Sequence, residues 1–72
     1  MDYLIVSLKV QGKYEDLKVP AFISVGELID TFNEIYQCSG ETLHADPKGI
    51  ILDKKKTLIE QGIEHGAKLT LA

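Results

Sequence analysis

Over residues 24–37 the apolar positions Val25, Leu28, Ile29, Phe32, Ile35 and Tyr36 recur at i, i+3, i+4 and i+7. That spacing lines one side of an α-helix over an arc of roughly 120°. Glu27, Asp30, Asn33, Glu34 and Gln37 fall on the opposite side. Ser24 and Glu27 stand in the S-x-x-E relation of a capping box, in which hydroxyl and carboxylate each satisfy a backbone N–H left free at a helix start. Ile23 and Leu28 have the placement of a hydrophobic staple. One amphipathic helix does not bury its stripe alone, so the flanking segments are expected to supply a sheet.

Before the helix the period changes to two. Leu4, Val6, Leu8 and Val10 alternate with Tyr3, Ile5, Ser7 and Lys9, which predicts a first strand with an apolar inner row. Gln11, Gly12, Lys13 and Tyr14 predict a two-residue type II′ turn with glycine at its first central position. Leu8 would then face Leu17, and Val6 would face Val19. The second strand is expected over 14–19, with Asp16 and Lys18 in water and Pro20 ending the pairing for want of an N–H.

After the helix an exit is expected at Cys38, Ser39 and Gly40, glycine tolerating the left-handed conformation. A short strand over 41–45 would turn Leu43 and Ala45 inward and Thr42 and His44 outward. Asp46-Pro47-Lys48-Gly49 predicts a turn, a short strand follows over 50–52, and 53–56 form a polar bend. Thr57 and Glu60 repeat the capping-box spacing, Gly62 can end a helical turn over 58–61, and Ile63 can pack back on Leu58. A last strand over 67–71 would place Leu69 and Leu71 inward, Lys68 and Thr70 outward. The order β-β-α-β-β-(short helix)-β predicts an α+β β-grasp, the ubiquitin-like fold. It implies a mixed sheet of four to five strands with one helix packed across it and the last strand beside the first. Residues 1–72 read as a single domain of this kind.

Composition narrows the function. A chain of 72 residues buries only about 60% of the surface its unfolded form exposes, so the core is small. The formal charge is −3 and all eight basic residues are lysines. Without arginine, and with the wrong net sign, a nucleic-acid partner is not expected. The lone Cys38 excludes an internal disulfide and suits a reducing compartment. No stretch approaches the roughly 20 apolar residues that cross a bilayer, and the first residues alternate like a strand rather than a signal peptide. A cytoplasmic protein without membrane insertion is the expectation.

The chemistry-bearing residues form no catalytic constellation. Cys38 ends a helix, where the dipole disfavours a thiolate, so it reads as a structural thiol. His44 and His65 have no ligand spacing with one another or with Cys38 and Asp46, and read as surface residues. The glycines stand singly at turns and make no phosphate loop. Neither enzyme activity nor a cofactor or metal is expected. Lys54-Lys55-Lys56 read as a solvated bend, and Glu27, Asp30 and Glu34 as the polar face of the helix. The outward row of the sheet is the candidate protein-binding surface: Tyr3, Ile5, Tyr14 and His44 place aromatic or apolar atoms on the face that the helix leaves uncovered.

Thr57-Leu58-Ile59-Glu60-Gln61-Gly62-Ile63, with Gly66 and Leu69-Thr70-Leu71, resembles the corresponding part of ubiquitin-like proteins. Asp16-Leu17-Lys18-Val19-Pro20-Ala21, followed by Val25 and Leu28-Ile29, resembles the small YukD and EsaB proteins encoded with bacterial type VII secretion systems. That resemblance implies a cytoplasmic accessory or regulatory component that contacts a protein of the secretion machinery without catalysis. It carries over no binding residue, because the matching positions belong to core and turns, and the first hairpin turn looks shorter than in those relatives. A related ubiquitin-like domain begins the EccD membrane component of such systems, so a part of a larger protein is a further reading. Ubiquitin itself suggests a modifier or sulfur carrier activated at a C-terminal Gly-Gly; Leu69-Thr70-Leu71-Ala72 carry no glycine, which speaks against it. Ubiquitin's apolar recognition patch is not reproduced either, its place being taken by Gly12-Lys13, His44, Lys68 and Thr70.

Overall fold

The computed structural model describes residues 2–72, with β1 (Tyr3–Val10), β2 (Lys13–Pro20), α1 (Val25–Tyr36), β3 (Leu43–Ala45), β4 (Ile50–Ile51), a 3-10 turn η1 (Ile59–Gln61) and β5 (Ala67–Leu71). The strands form one sheet in the order β2-β1-β5-β3-β4, with β5 parallel to β1 and the other pairs antiparallel. This is the expected α+β β-grasp, and the closing strand does return beside the first. Leu4, Val6, Leu8 and Val19 of the hairpin, with Leu43 and Leu69, share one buried cluster with Val25, Leu28, Ile29 and Phe32 of α1. Burying each such side chain contributes roughly 1.5–3 kcal/mol relative to leaving it in water, so the helix is held mainly by this stripe.

The hairpin register differs from the expectation by two residues. Val10 pairs with Lys13, leaving Gln11 and Gly12 as the turn, both at positive φ, 54° and 86°. Two positive φ values define the type I′ family, whose twist matches that of the flanking strands better than most alternatives. Gln11 accepts the left-handed conformation, and glycine occupies the second central position rather than the first. Leu8 therefore faces Glu15, Val6 faces Leu17 and Leu4 faces Val19. A slip of two keeps every side chain on its face, so the inner row is unchanged. Pro20 lies within β2, opposite Tyr3, because β2 is an edge strand where a missing N–H leaves no ladder bond unmade.

The helix ends correct a second expectation. The left-handed exit is Gln37 (φ 52°, ψ 50°), whose N–H donates to Asn33 O, and not Gly40. Gly40 is constrained by packing instead: a Cβ there would stand 2.5 Å from Leu71 Cγ. Asn33, expected on the solvent face, brackets this turn. Its Oδ1 accepts from the Gly40 N–H (2.8 Å) and the Cys38 thiol (3.3 Å), and its Nδ2 donates to Gly40 O (2.8 Å). Ile35 leaves the stripe, 63% exposed, because it stands at the edge of the apolar arc in the last turn of α1.

At the other end Ser24 Oγ accepts from the Glu27 N–H (3.2 Å). The N–H groups of Val25 and Gly26 are taken by the carbonyls of Lys56 and Lys54, at 2.9 and 3.0 Å. The lysine bend thus caps the helix through its backbone. The second capping box is reciprocal: Glu60 N–H donates to Thr57 Oγ1 (3.2 Å) and Thr57 N–H to Glu60 Oε1 (2.9 Å). Gly62 (φ 79°) then ends η1, with the Ile63 N–H on Leu58 O at 3.1 Å, the expected Schellman exit. No helix of the described residues is long and apolar enough to cross a membrane.

Candidate functional site

Alternate residues of the strands point away from α1 and form the outer sheet face. Cross-strand pairing runs Tyr14–Lys9–Thr70–His44–Ile51 in one row and Asp16–Ser7–Lys68 in the next, then Lys18–Ile5 and finally Pro20–Tyr3. The four expected site residues therefore do not form one patch. Tyr3 and Ile5 sit at one end, Tyr14 and His44 at the other. Between them runs a polar row in which Ser7 Oγ donates to Asp16 Oδ1 (2.6 Å).

At the first end Tyr3 and Ile5 are 41% and 39% exposed. Lys18 Nζ lies 4.2 Å from the centre of the Tyr3 ring, and the His65 ring meets it edge-on at 5.9 Å and 65°. Backbone fixes the histidine. The Ile5 N–H donates to His65 Nδ1 (3.0 Å) while the Gly66 N–H donates to Ile5 O (2.7 Å). A neutral ring that accepts at Nδ1 carries its proton on Nε2, so this bond selects the tautomer. His65 belongs to the site although its sequence setting suggests only a surface residue. The available signal was its place just before Gly66, at the entry of the strand that returns beside Ile5.

The second end is a hydrogen-bonded lattice. Tyr14 Oη and Thr70 Oγ1 both donate to Asp46 Oδ2, at 3.1 and 2.5 Å. Lys9 and Lys68 Nζ each lie 5.7 Å from the Tyr14 ring centre. Half-buried His44 has its Nε2 2.8 Å from Thr42 Oγ1. The Thr70 hydroxyl, then that of Tyr14, hold the Asp46 carboxyl below the usual carboxylate range against some desolvation, with the positive charge of Lys9 and His44 adding to the effect. Partial burial, then the bond to Asp46, raise the Tyr14 phenol. Asp46, expected only in a turn, is the centre of this end.

Away from the face, Tyr36 Oη donates to Glu15 Oε2 (2.7 Å), and burial together with that carboxylate pushes its phenol up to about 12. Cys38 is half-buried, with its thiol donating to Asn33. No group of three or more His, Cys, Asp or Glu side chains among the described residues is arranged to hold a metal ion. The outer face presents aromatic rings at both ends and fixed hydrogen-bonding groups between and around them.

No protein-family model matches the chain, and no curated protein matches its sequence. Solved structures do match. A protein from Arabidopsis thaliana superposes with a TM-score of 0.82 at 26% identity, over 97% of this chain and 82% of its own. The ubiquitin-like domain of a protein from the same plant gives 0.77 at 20% identity, over 100% and 78%. A protein designed computationally on the template of human erythrocytic ubiquitin gives 0.68 at 32% identity, over 100% and 90%. A hairpin, a crossing helix and a parallel closing strand, superposing on these neighbours over nearly the full length, give the chain the ubiquitin-like β-grasp fold.

Proposed function

We propose that this ubiquitin-like protein is a non-catalytic accessory or regulatory component of a bacterial type VII secretion system, working in the cytoplasm by binding a protein of the machinery. The resemblance to YukD and EsaB over Asp16 to Ala21, Val25 and Leu28-Ile29 supports the system. The binding mode is supported by one observation above the others: Tyr3 and Ile5 stay exposed on a strand whose backbone is locked to His65 and Gly66, so their side chains are presented with little left to order on binding. Tyr14 and His44 form the polar far edge of the same surface.

Isothermal titration with the purified cytoplasmic components of such a system, its ATPase first, tests this reading. Tyr3→Ser and Ile5→Asp should each weaken binding at least about tenfold, the effect of losing an interface anchor, and a thermal melt should show each free variant still folded at the titration temperature. Unaltered binding by both variants would remove the surface, and no binding to any component would remove the assignment. A modifier or sulfur carrier is the competing reading. The Ala72 N–H and C=O are engaged with Thr42 and Glu41 beside β3, an arrangement opposed to a loose reactive tail over the last described residues. An adenylate or thioester found by mass spectrometry after incubation with an activating enzyme and ATP would replace the secretion reading.

A further inference from the structure

Beside the Tyr3 end of the sheet a groove of about 580 Å³ opens between β1 and η1, lined by Leu4, Ile59, Ile63, Glu64 and His65. Leu4 is buried, whereas Ile59 is 45% exposed. Both ends of η1 are fixed, by the reciprocal capping box of Thr57 and Glu60 and by the Schellman exit through Gly62 and Ile63, so the apolar walls exist before anything binds. On the polar wall the histidine is fixed as well. Because His65 Nδ1 accepts from Ile5, its Nε2 is the donor, and that donor has no partner among the described residues. The Glu60 carboxylate is taken by the Thr57 N–H, but Glu64 is bonded among the described residues only through its main-chain carbonyl, to the Ala67 N–H.

We propose that this groove binds an extended segment of a partner protein in which an aliphatic side chain is followed by lysine or arginine. The aliphatic group fills the space above Leu4 between Ile59 and Ile63. The cation meets the Glu64 carboxylate, and a main-chain carbonyl of the segment accepts from His65 Nε2. A wholly apolar occupant would cover Glu64 without a countercharge, a cost that a basic residue removes. A two-fold contact between copies of this chain would instead bring Glu64 towards its own equivalent, like charge on like charge. This contact adjoins the outer sheet face through His65, its other walls lying off that face, and does not depend on the secretion assignment.

The test is a titration of isotope-labelled protein, followed by amide chemical shifts, with three capped peptides: Gly-Ser-Leu-Lys-Ser-Gly, the same peptide with alanine for leucine, and the same with glutamate for lysine. The first should shift Leu4, Ile59, Ile63, Glu64 and His65 and bind about threefold or more tightly than either altered peptide, the scale of an exposed ion pair. Ile59→Asp, at an exposed position, should abolish those shifts while the rest of the spectrum stays as in the parent. Glu64→Lys should reverse the preference between the lysine and glutamate peptides, and Tyr14→Ser should leave binding within twofold. Equal binding of the three peptides, shifts confined to the Tyr3 and Tyr14 face, or shifts at the groove that depend on protein concentration without peptide would each overturn the proposal. The last would make the groove a contact between copies of the chain.

Discussion

At one end of the outer face Tyr14 is tied through its hydroxyl to Asp46, which takes a second bond from Thr70; at the other, Tyr3 meets Lys18 and His65 only through its ring. Both tyrosines sit on outward strand positions and are exposed to similar extents, 46% and 41%. The difference lies in what each would give up to a partner. A hydroxyl bonded to a carboxylate is directional, and breaking it strands an acceptor. Ring contacts at an exposed site are worth about 0.5–1 kcal/mol and can be exchanged for contacts with another surface. Tyr14 is thus built into the sheet, spanning from β2 to the end of β3, while Tyr3 is held only by ring contacts that can be exchanged.

The strongest way to break this comparison is to loosen the strand that carries both ends. β5 follows His65 and Gly66 and holds Thr70, and its anchor is Leu69, 0% exposed. Leu69→Ala should cost about 2–5 kcal/mol in urea unfolding, the range for emptying a buried leucine site. It should also speed amide exchange at Ile5, whose N–H is held by His65. A loss well below 2 kcal/mol would mean that the two ends are not tied together by β5.

Asp46→Ala separates the ends. Removing the shared acceptor should cost about 1 kcal/mol at neutral pH, a value kept low because the site is near solvent. Tyr3→Ala should cost less. The reverse order would show that Tyr3, and not Tyr14, is the structural member. The same contrast is readable by pH. The Asp46 carboxyl is depressed in the folded protein, so its contribution is present above the ordinary value near 3.8 and is lost as pH falls through the lower folded value. The stability gap between the parent and Asp46→Asn should therefore be constant from pH 5 to 7 and close in more acid solution, as a pH series of urea midpoints would show.

Much of this frame is legible in the sequence because periodicity reports which side of an element faces the core. The strand alternation around Val6, the helix stripe around Leu28 and the box at Thr57 and Glu60 all translate directly into the observed elements. Turn geometry was harder. Gln11-Gly12 and Gly12-Lys13 both satisfy a two-residue turn, and both keep Leu17 and Val19 inward, so no side-chain pattern distinguishes registers two residues apart. Gln37 and Gly40 present the same difficulty at the helix exit, because the deciding facts are the Asn33 carboxamide and the approach of Leu71, both set by tertiary packing. The candidate site was legible as a face but not in its division. Alternation placed Tyr3, Ile5, Tyr14 and His44 outward, yet Asp46 and His65 lie 32 and 60 residues away from the groups they bond, Tyr14 and Ile5.

A third tyrosine tests whether a hydroxyl tied to a carboxylate behaves alike elsewhere. Tyr36 donates to Glu15 and its phenol is raised to about 12. Raised in the folded state, the group contributes fully below the unfolded value of 10 and loses that contribution as pH climbs through 12. Parent stability should fall across that window, and Tyr36→Phe should flatten the fall. An identical fall in the variant would assign the alkaline limb to other groups.

The smallest effect is the one that decides whether the Tyr3 end is free. Lys18 Nζ lies 4.2 Å from the Tyr3 ring centre on an exposed edge strand, where the long lysine side chain loses rotamer entropy by staying over the ring. Lys18→Gln should therefore leave the urea midpoint almost unchanged. In a double-mutant cycle with Tyr3→Ala the coupling should be below about 0.5 kcal/mol. That value would be small enough for a partner to displace the lysine and take the ring for itself. Coupling above about 1 kcal/mol would bind Tyr3 into the fold no less firmly than Tyr14, and the distinction between the two ends would fail.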